Sequence, residues 1–539
     1  MASSDTPVPR PAGSSASATT SGDLAIVLHA HLPYVRSSEP GSLEEDWYFQ
    51  ALQECYLPLL AVLEAAAADP HQRPRLTLGL SPTLLSLLAD RALNARFLPW
   101  LAIRLALLAH ASPELGDAAS DLAHQLKAVA SQWEACNGNL VPRFRRLQQQ
   151  GVLDLITCAA THGYLPLLRG VPEAVRAQLR TAVREHERLL GERPLGIWIP
   201  ECAYYEGLDQ QLASCGLRYS LLDAHGVLHA LPRPRYGVYA PICSPAGVAF
   251  CARDSTATLP VWSATQGYPG DEVYREFHRD LGWDLPQELL DEAGITSRRP
   301  LGLKLRRVTG QGTALDQKKP YDPAAAAQKT KLHAIDYLQG RRGELAALAG
   351  SMERRPLLVA PFDAELFGHW WFEGPRFLAN LFREAEGEGV RLVHLRDALA
   401  EGEALQVCRP SPSSWGQGGY HDYWLNDTNA WVVPEWQRAS QAMVRRVSQG
   451  VGSSQQRDLL HQAGRELLLA QSSDWSFILR AGTTTELAKE RIERHLDRFW
   501  RLIDAIDNGT QLPESWLEGV RREDGLFPNI NAADWARLG

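Results

Sequence analysis

The sequence predicts an α/β protein: a parallel β/α barrel with a helical insertion, loops over one rim, and a helical C-terminal domain. Three observations carry this. Short apolar runs alternate with helical segments from residue 24 to about 400, the pattern of strands joined by crossover helices in a parallel sheet. Polar residues capable of chemistry follow strand after strand on the C-terminal side, at His29, His162, Glu201 and Asp363. A barrel gathers its site on that rim. After about residue 405 the alternation stops and helical periods take over. An open doubly wound sheet also fits the alternation, but it would collect its chemistry at one crevice, not after at least four strands.

Taken in order, 24-LAIVLHAHLPY-34 opens with a continuous apolar run, as for a strand buried on both faces. Residues 45–68 form a helix that stops at Asp69-Pro70. A short strand, 75-RLTLGLSP-82, precedes helices over about 83–149, too long for a simple crossover and therefore an insertion. The strand in 153-LDLITCAATHGYLP-166 ends at Thr161, His162 and Gly163, and a helix covers about 172–189. The stretch 195-PLGIWIPECAYYEG-208 reads as an apolar strand ending at Glu201, followed by a helix over 207–215 and the strand 217-LRYSLLDAHG-226. Residues 226–355 interrupt the alternation with dense turn signals and read as loop excursions over the site. The strand in 356-PLLVAPFDAELFGHWWFEGP-375 ends at Asp363, and 390-VRLVHLRDAL-399 closes the series. The barrel unit thus spans 23–405 and a helical domain 406–539, with Asp474 near a helix start in 472-SSDWSF-477.

Bulk composition excludes several classes. The 539 residues are too many for one minimal core. A net charge of −8 argues against nucleic acid as a partner. The eight cysteines form no CxxC pair, which suggests reduced thiols in the cytoplasm rather than a zinc ribbon or a disulfide framework. Residues 1–22 lack the apolar segment of a signal peptide and are expected to be disordered. No apolar run approaches the roughly 20 residues of a membrane span.

A carboxylate at the mouth of a buried strand is costly to place there. Glu201 alone could be a structural group bonded to backbone. Asp363 stands in the same position on a later strand, after the same apolar run plus proline. Two carboxylates on one rim are what glycoside chemistry uses, about 5 Å apart in a retaining enzyme. Glu365 rivals Asp363, because i and i+2 on a strand share a face, whereas Glu373 reads as structural. His29 and His31 form an H-x-H pair that could bind a metal with His162 and a carboxylate or donate to sugar hydroxyls. No second close-spaced ligand pair accompanies them. Trp262, Trp370, Trp371, Trp415, Trp424, Trp431 and Trp475 lie in loops or at element ends, among sixteen tryptophans in all. Each could be core, but pyranose faces stack on indoles. Arg253-Asp254 could orient a carboxylate or a sugar, or form a surface ion pair.

The stretches HAHLPY (29–34), THGYLPLL (161–168), WIPECAYYEG (198–207), APFDAELFGHWWFEGP (360–375) and SSDWSF (472–477) resemble the ordered motifs of glycoside hydrolase family 57. Within that family the chain is most similar to the 1,4-α-glucan branching enzymes. The resemblance implies a (β/α)7 barrel and an α-1,4-glucan as donor and acceptor, with no cofactor and no metal. It implies Glu201 as nucleophile, Asp363 as general acid/base, and Arg253, Gly270, Trp415 and Asp474 as substrate contacts. Trp262 and Trp424 are additions to that set, and His29, His31 and His162 would line the same site. A monomer is expected. The alternatives are a 4-α-glucanotransferase or α-amylase on the same scaffold, a metal-dependent polysaccharide deacetylase built on the histidines, and a non-catalytic glucan-binding protein. One departure stands out. Family branching enzymes carry a long loop with a covering tyrosine before the Arg-Asp pair, and the segment from Tyr236 to Arg253 is short.

Overall fold

The computed structural model describes residues 21–537 apart from 38, 401–403 and 451. The segment expected to be disordered, 1–22, lies outside the described residues except for Ser21 and Gly22, and Gly22 is buried. The strands are β1 (Asp23–Ala30), β2 (Leu76–Leu80), β3 (Leu153–Ile156), β4 (Tyr219–Leu222), β5 (Ile242–Cys243), β6 (Ala249–Ala252), β7 (Leu357–Asp363), β8 (Arg391–Leu392) and β9 (Gln406–Val407).

Two sheets join into one barrel. The first runs β3-β2-β1-β7 and the second begins β4-β6, and within each of these runs neighbours pair in parallel. The stretch 196–198 links them through parallel bridges, Thr157 to Ile197 and Gly196 to Tyr219. Barrel order is therefore β6, β4, 196–198, β3, β2, β1, β7. Closure comes from the Asp254 N–H, just past β6, donating to the Val359 carbonyl of β7 at 2.9 Å. This is the expected seven-membered barrel, with its ladder reduced to single bridges where Glu201 is about to emerge.

Side-chain parity explains the core. Ala25, Val27, Ile156, Trp198, Tyr219, Leu221, Ala249, Cys251, Leu357 and Val359 form the inner cluster. Leu24, Ile26 and Leu28 join the larger cluster formed with the surrounding helices. Period-two alternation then carries His29 on β1 and Asp363 on β7 to the top of the interior, and these two are register partners. Gly79 on β2 leaves room for His29 and Trp198 to meet: a Cβ there would lie 3.1 Å from His29 Nδ1 and 3.4 Å from Trp198 Cβ. The His29 imidazole stacks on the Trp198 indole at 4.6 Å with 1° between planes.

Two expectations are corrected. Residues 390–399 do not close the barrel. β8 pairs only with Asp23 and Leu24 of β1, a wedge at the base, and a helix follows at Leu395–Ala400. Nor is all of 226–355 an excursion over the top. Residues 231–241 descend the outside, the Leu357 N–H donates to the Tyr239 carbonyl, and the β5–β6 hairpin climbs back. Helix Pro323–Ala349 is the ordinary crossover into β7. The top excursion is therefore about 263–322.

The insertion folds as helices Pro82–Leu88, Arg91–Asn94, Phe97–Leu108, Gly116–Ala135 and Val141–Gln149. The C-terminal unit consists of Val432–Ser448, Ser454–Ala470, Ser473–Ala481, Thr485–Asn508 and Glu514–Glu523. Against expectation, helix Leu43–Ala68 is long and apolar enough to cross a membrane by composition. Its apolar residues pack into the main core, which accounts for that composition.

Candidate active site

Glu201 leaves the barrel on a strained turn. Its φ is +59° and that of Cys202 is +49°, a left-handed conformation that side chains rarely adopt and that costs about 1–3 kcal/mol where it occurs. His162, on the neighbouring strand end, has φ +56°. Three of the positive-φ non-glycine residues thus cluster at one rim, where the surrounding contacts hold them.

Those contacts come from the C-terminal region. After β9 the chain climbs the barrel wall, pairs Ser413 with Tyr204, and brings Trp415 over the rim. The Trp415 N–H donates to the Glu201 carbonyl at 3.0 Å, and its indole Nε1–H donates to Glu201 Oε2 at 2.7 Å. The Trp415 ring meets Trp198 edge-on at 5.0 Å. Trp415 is therefore a clamp on the carboxylate. Ser473 also bonds Glu201, and His162 Nδ1 lies 3.8 Å from its other oxygen.

The histidines form a relay. His29 Nε2 and His162 Nε2 share a hydrogen bond of 3.1 Å, and His162 Nδ1 bonds Ser473 Oγ at 2.7 Å. Burial, followed by repulsion among the rings, drives the pKa values of His29 and His162 well below the ordinary imidazole range, so both are neutral. His31 stacks on His162 at 3.9 Å, bonds Ser81 Oγ through Nδ1 at 2.9 Å, and meets Asp474 through Nε2 at 3.0 Å. Burial would raise the Asp474 pKa, but the His31 charge and hydrogen bond outweigh it and hold the group at about 2. Ligand atoms of His31, His162 and Asp474 gather within 4.8 Å, as do those of His29, Cys158 and His162. Either set could approach a metal, but both nitrogens of His31 and of His162 already have partners. A third group, Glu466, His495 and Asp524, is buried inside the C-terminal helices with Arg498 on Asp524.

The two carboxylates differ in environment. Burial raises Glu201 to about 8, helped by the like charges of Asp363 and Asp474 and opposed by the Trp415 and Ser473 bonds. Asp363 is ringed by protein yet opens to the cleft. Burial lifts it to about 6 against the opposing charges of His31 and Arg253. Close carboxyls titrate as a pair, so between those values the site holds one proton. Arg253, just past β6, is tethered to Asp223 by Nη1 at 3.3 Å and to Thr258 by Nε at 3.3 Å.

The structure brings Glu201, Asp363, Arg253, Trp415, Asp474, His29, His31 and His162 together. The remaining candidates divide. Trp424 is 2% exposed and its face is covered by Tyr164 at 4.5 Å, so it cannot stack on a sugar; it packs beneath the Trp415 loop. Trp371 and Trp475 are likewise core. Gly270 is explained by packing, since a Cβ there would sit 2.1 Å from the Ala264 carbonyl, and no described contact joins it to either carboxylate. Trp262, at the end of the helix starting after Arg253-Asp254, is 60% exposed, and Trp370 is 56% exposed on the face of Phe277. Tyr236 lies at the barrel base, where its hydroxyl accepts the Glu353 N–H, so it cannot cover the site. Sequence reasoning missed Asp223, Ser473, Ser81 and Tyr56. Asp223 was within reach, because it ends β4 as Asp363 ends β7.

Comparison with known proteins bears on the chain as a whole. Residues 25–294 match the family model for glycosyl hydrolase family 57, and 435–535 match that of the 1,4-alpha-glucan branching enzyme C-terminal region. The chain is 31% identical to a 1,4-alpha-glucan branching enzyme of Thermococcus kodakarensis, over 94% of this chain and 77% of that one. Among solved structures it is similar to the alpha-amylase AmyC of Thermotoga maritima, at 35% identity, TM-score 0.89, covering 96% and 99% of the two chains. It is also similar to the family 57 branching enzyme of Pyrococcus horikoshii, at 31% identity, TM-score 0.87, covering 96% and 97%. A barrel rim with these carboxylates, a matching helical C-terminal region and relatives along nearly the whole chain lead to one conclusion: the chain belongs to glycosyl hydrolase family 57.

Proposed function

We propose that this chain is a retaining 1,4-α-glucan branching enzyme, with Glu201 as nucleophile and Asp363 as general acid/base. The observation that carries the assignment of roles is the Trp415 clamp. It gives Glu201 a fixed N–H donor, which favours the charged form, while Asp363 opens to the cleft where a leaving oxygen would lie. Glu201 attacks the anomeric carbon of the donor as Asp363 protonates the leaving chain, giving a covalent glycosyl-enzyme. Asp363 then takes the proton of an acceptor 6-hydroxyl, which displaces Glu201 and forms an α-1,6 branch with retention.

Burial favours the shared proton on Glu201, whereas the reaction requires it on Asp363. Substrate supplies the difference. A bound glucan chain desolvates the Asp363 carboxyl and raises its pKa. Positive charge developing at the anomeric centre lowers that of Glu201. Arg253, held by Asp223, is placed to orient a hydroxyl near Asp363. Trp262 and Trp370 are among the exposed indoles available for stacking, with Trp283 and Trp431 also open to solvent.

The test is linkage analysis of amylose treated with the protein, by debranching and chain-length profiling. New α-1,6 linkages are expected; their absence overturns the branching assignment. Hydrolysis is the second reading, and two observations favour it: the chain is 35% identical to an alpha-amylase along 96% of its length, and Tyr236 lies at the barrel base, where it cannot cover the site. Reducing ends gained without branches would decide for an α-amylase. We further propose a cytoplasmic monomer acting on a glycogen-type polymer. All eight cysteines are unbonded, which suits a reducing compartment.

A further inference from the structure

Residues Leu52–Tyr56 form a π-helical turn inside helix Leu43–Ala68, closed by the Leu57 N–H donating to the Leu52 carbonyl. Such turns are rare and concentrate at functional sites. This one faces the segment just past Asp363. Cys55 Sγ–H donates to the Ala364 carbonyl at 3.0 Å, and Tyr56 Oη–H donates to Glu365 Oε1 at 2.5 Å. Consecutive side chains on a regular α-helix diverge by about 100°, and here both reach consecutive residues of one turn. The same Glu365 oxygen accepts the His31 N–H at 3.1 Å. The ring of His31 is then fixed by Ser81 and Asp474, and it is among the groups that act electrostatically on Asp363.

We propose that Tyr56 and Glu365 are a positioning pair for the acid/base: the phenol holds the Glu365 carboxylate, which holds the His31 backbone, which sets the imidazole beside Asp363. The pair acts first on proton transfer to the leaving group: its own described contacts end at His31, and Glu201 is reached only at second hand, through Asp474 and His162. Glu365 is thereby removed from rivalry with Asp363. One of its oxygens already serves two donors, and Tyr56, Cys55 and the like charge of Asp363 are the titratable groups facing it. The inference rests on the acid/base role of Asp363 proposed above.

The experiment compares two donors, amylose and α-maltosyl fluoride, whose fluoride departs without a general acid. For Tyr56→Phe, kcat/KM on amylose is expected to fall about tenfold with KM little changed, and on the fluoride to stay within about twofold of wild type. Glu365→Gln is expected to share the signature, and Tyr56→Phe added to it should bring no further loss. The glutamine variant keeps the test open if the phenylalanine variant folds poorly. Equal losses on both donors, or additive losses in the double variant, would overturn the positioning role. Asp363→Asn serves as reference. If it too is slowed equally on both donors, the acid/base assignment itself falls. If it spares the fluoride while Tyr56→Phe does not, only the pair falls.

Discussion

Trp415→Phe removes the indole N–H together with the five-membered half of the bicyclic ring, and leaves a smaller aromatic ring to pack against Trp198. The N–H donates to Glu201 Oε2 at 2.7 Å, a hydrogen bond to an ionised acceptor, worth about 1.5–3 kcal/mol. One pKa unit corresponds to about 1.36 kcal/mol, so its loss raises the Glu201 pKa by about 1–2 units. Glu201 already lies near 8. The working microstate has the proton on Asp363 and Glu201 ionised, and its share of the singly protonated pair falls by the same factor, about 10–100. The plateau of kcat/KM should therefore drop by that factor. The basic limb, where the pair loses its last proton, should move to higher pH by about 1–2 units. The assay is a pH series of initial rates on amylose, with circular dichroism to show intact folding. A variant that lost activity through misplacement alone would lower the plateau and leave the limb where it was. That result, or full activity, would refute the clamp.

For the unmodified protein, kcat/KM should follow a bell between limbs near pH 6 and pH 8, because activity needs one proton on the carboxyl pair; a profile flat from pH 5 to 9 would contradict this. Glu201→Gln should abolish glycosyl transfer, and azide should rescue Glu201→Gly as an inverted glycosyl azide; turnover by the glutamine variant would remove Glu201 as nucleophile. Gly196→Ala places a Cβ 2.3 Å from Tyr219 Cε2 and 2.5 Å from Ile156 Cγ2, so the bridge carrying Glu201 must shift; a loss of ~2 kcal/mol or more in urea denaturation is expected. The folded pKa of Asp474 is depressed to about 2 from an ordinary 3.8, so its contribution is present above pH ~4 and is lost as pH falls through 2. Asp474→Asn should accordingly be ~2 kcal/mol less stable than wild type at pH 5, with the gap narrowing by pH 3; a gap independent of pH would show that the ion pair does not supply it.

How far the sequence was legible follows from how local each signal is. Strand ends announce themselves through an apolar run stopped by a polar residue, so Glu201, Asp363, His29 and His162 were found on periodicity alone. Asp223 obeys the same rule and was passed over. The barrel's closure was not visible, because the bridges at 196–198 are too short for a periodic signature and β8 imitates a strand while only wedging the base. The indoles were the least legible. Trp262 and Trp424 look alike in Gly- and Ser-rich surroundings, yet one is open to solvent and the other is sealed under Tyr164. Which face of a loop meets solvent depends on residues hundreds of positions away.

The same reasoning explains why one task of Trp415 was not visible in the sequence. Read along the chain, it is an aromatic residue in a flexible connection and suggests a platform for sugar. In the folded protein its connection starts at the barrel base in β9, pairs with Tyr204 on the way up, and ends with both nitrogens of Trp415 on Glu201. A left-handed Glu201 is sustained only if something holds it from outside the barrel, and two of its hydrogen-bond donors, Trp415 and Ser473, come from the C-terminal region. Separation of that region from the barrel would leave the nucleophile without its charge-stabilising donors. On the roles proposed for Glu201 and Asp363, the C-terminal region belongs to the catalytic apparatus, and the barrel by itself would present a carboxyl too reluctant to ionise.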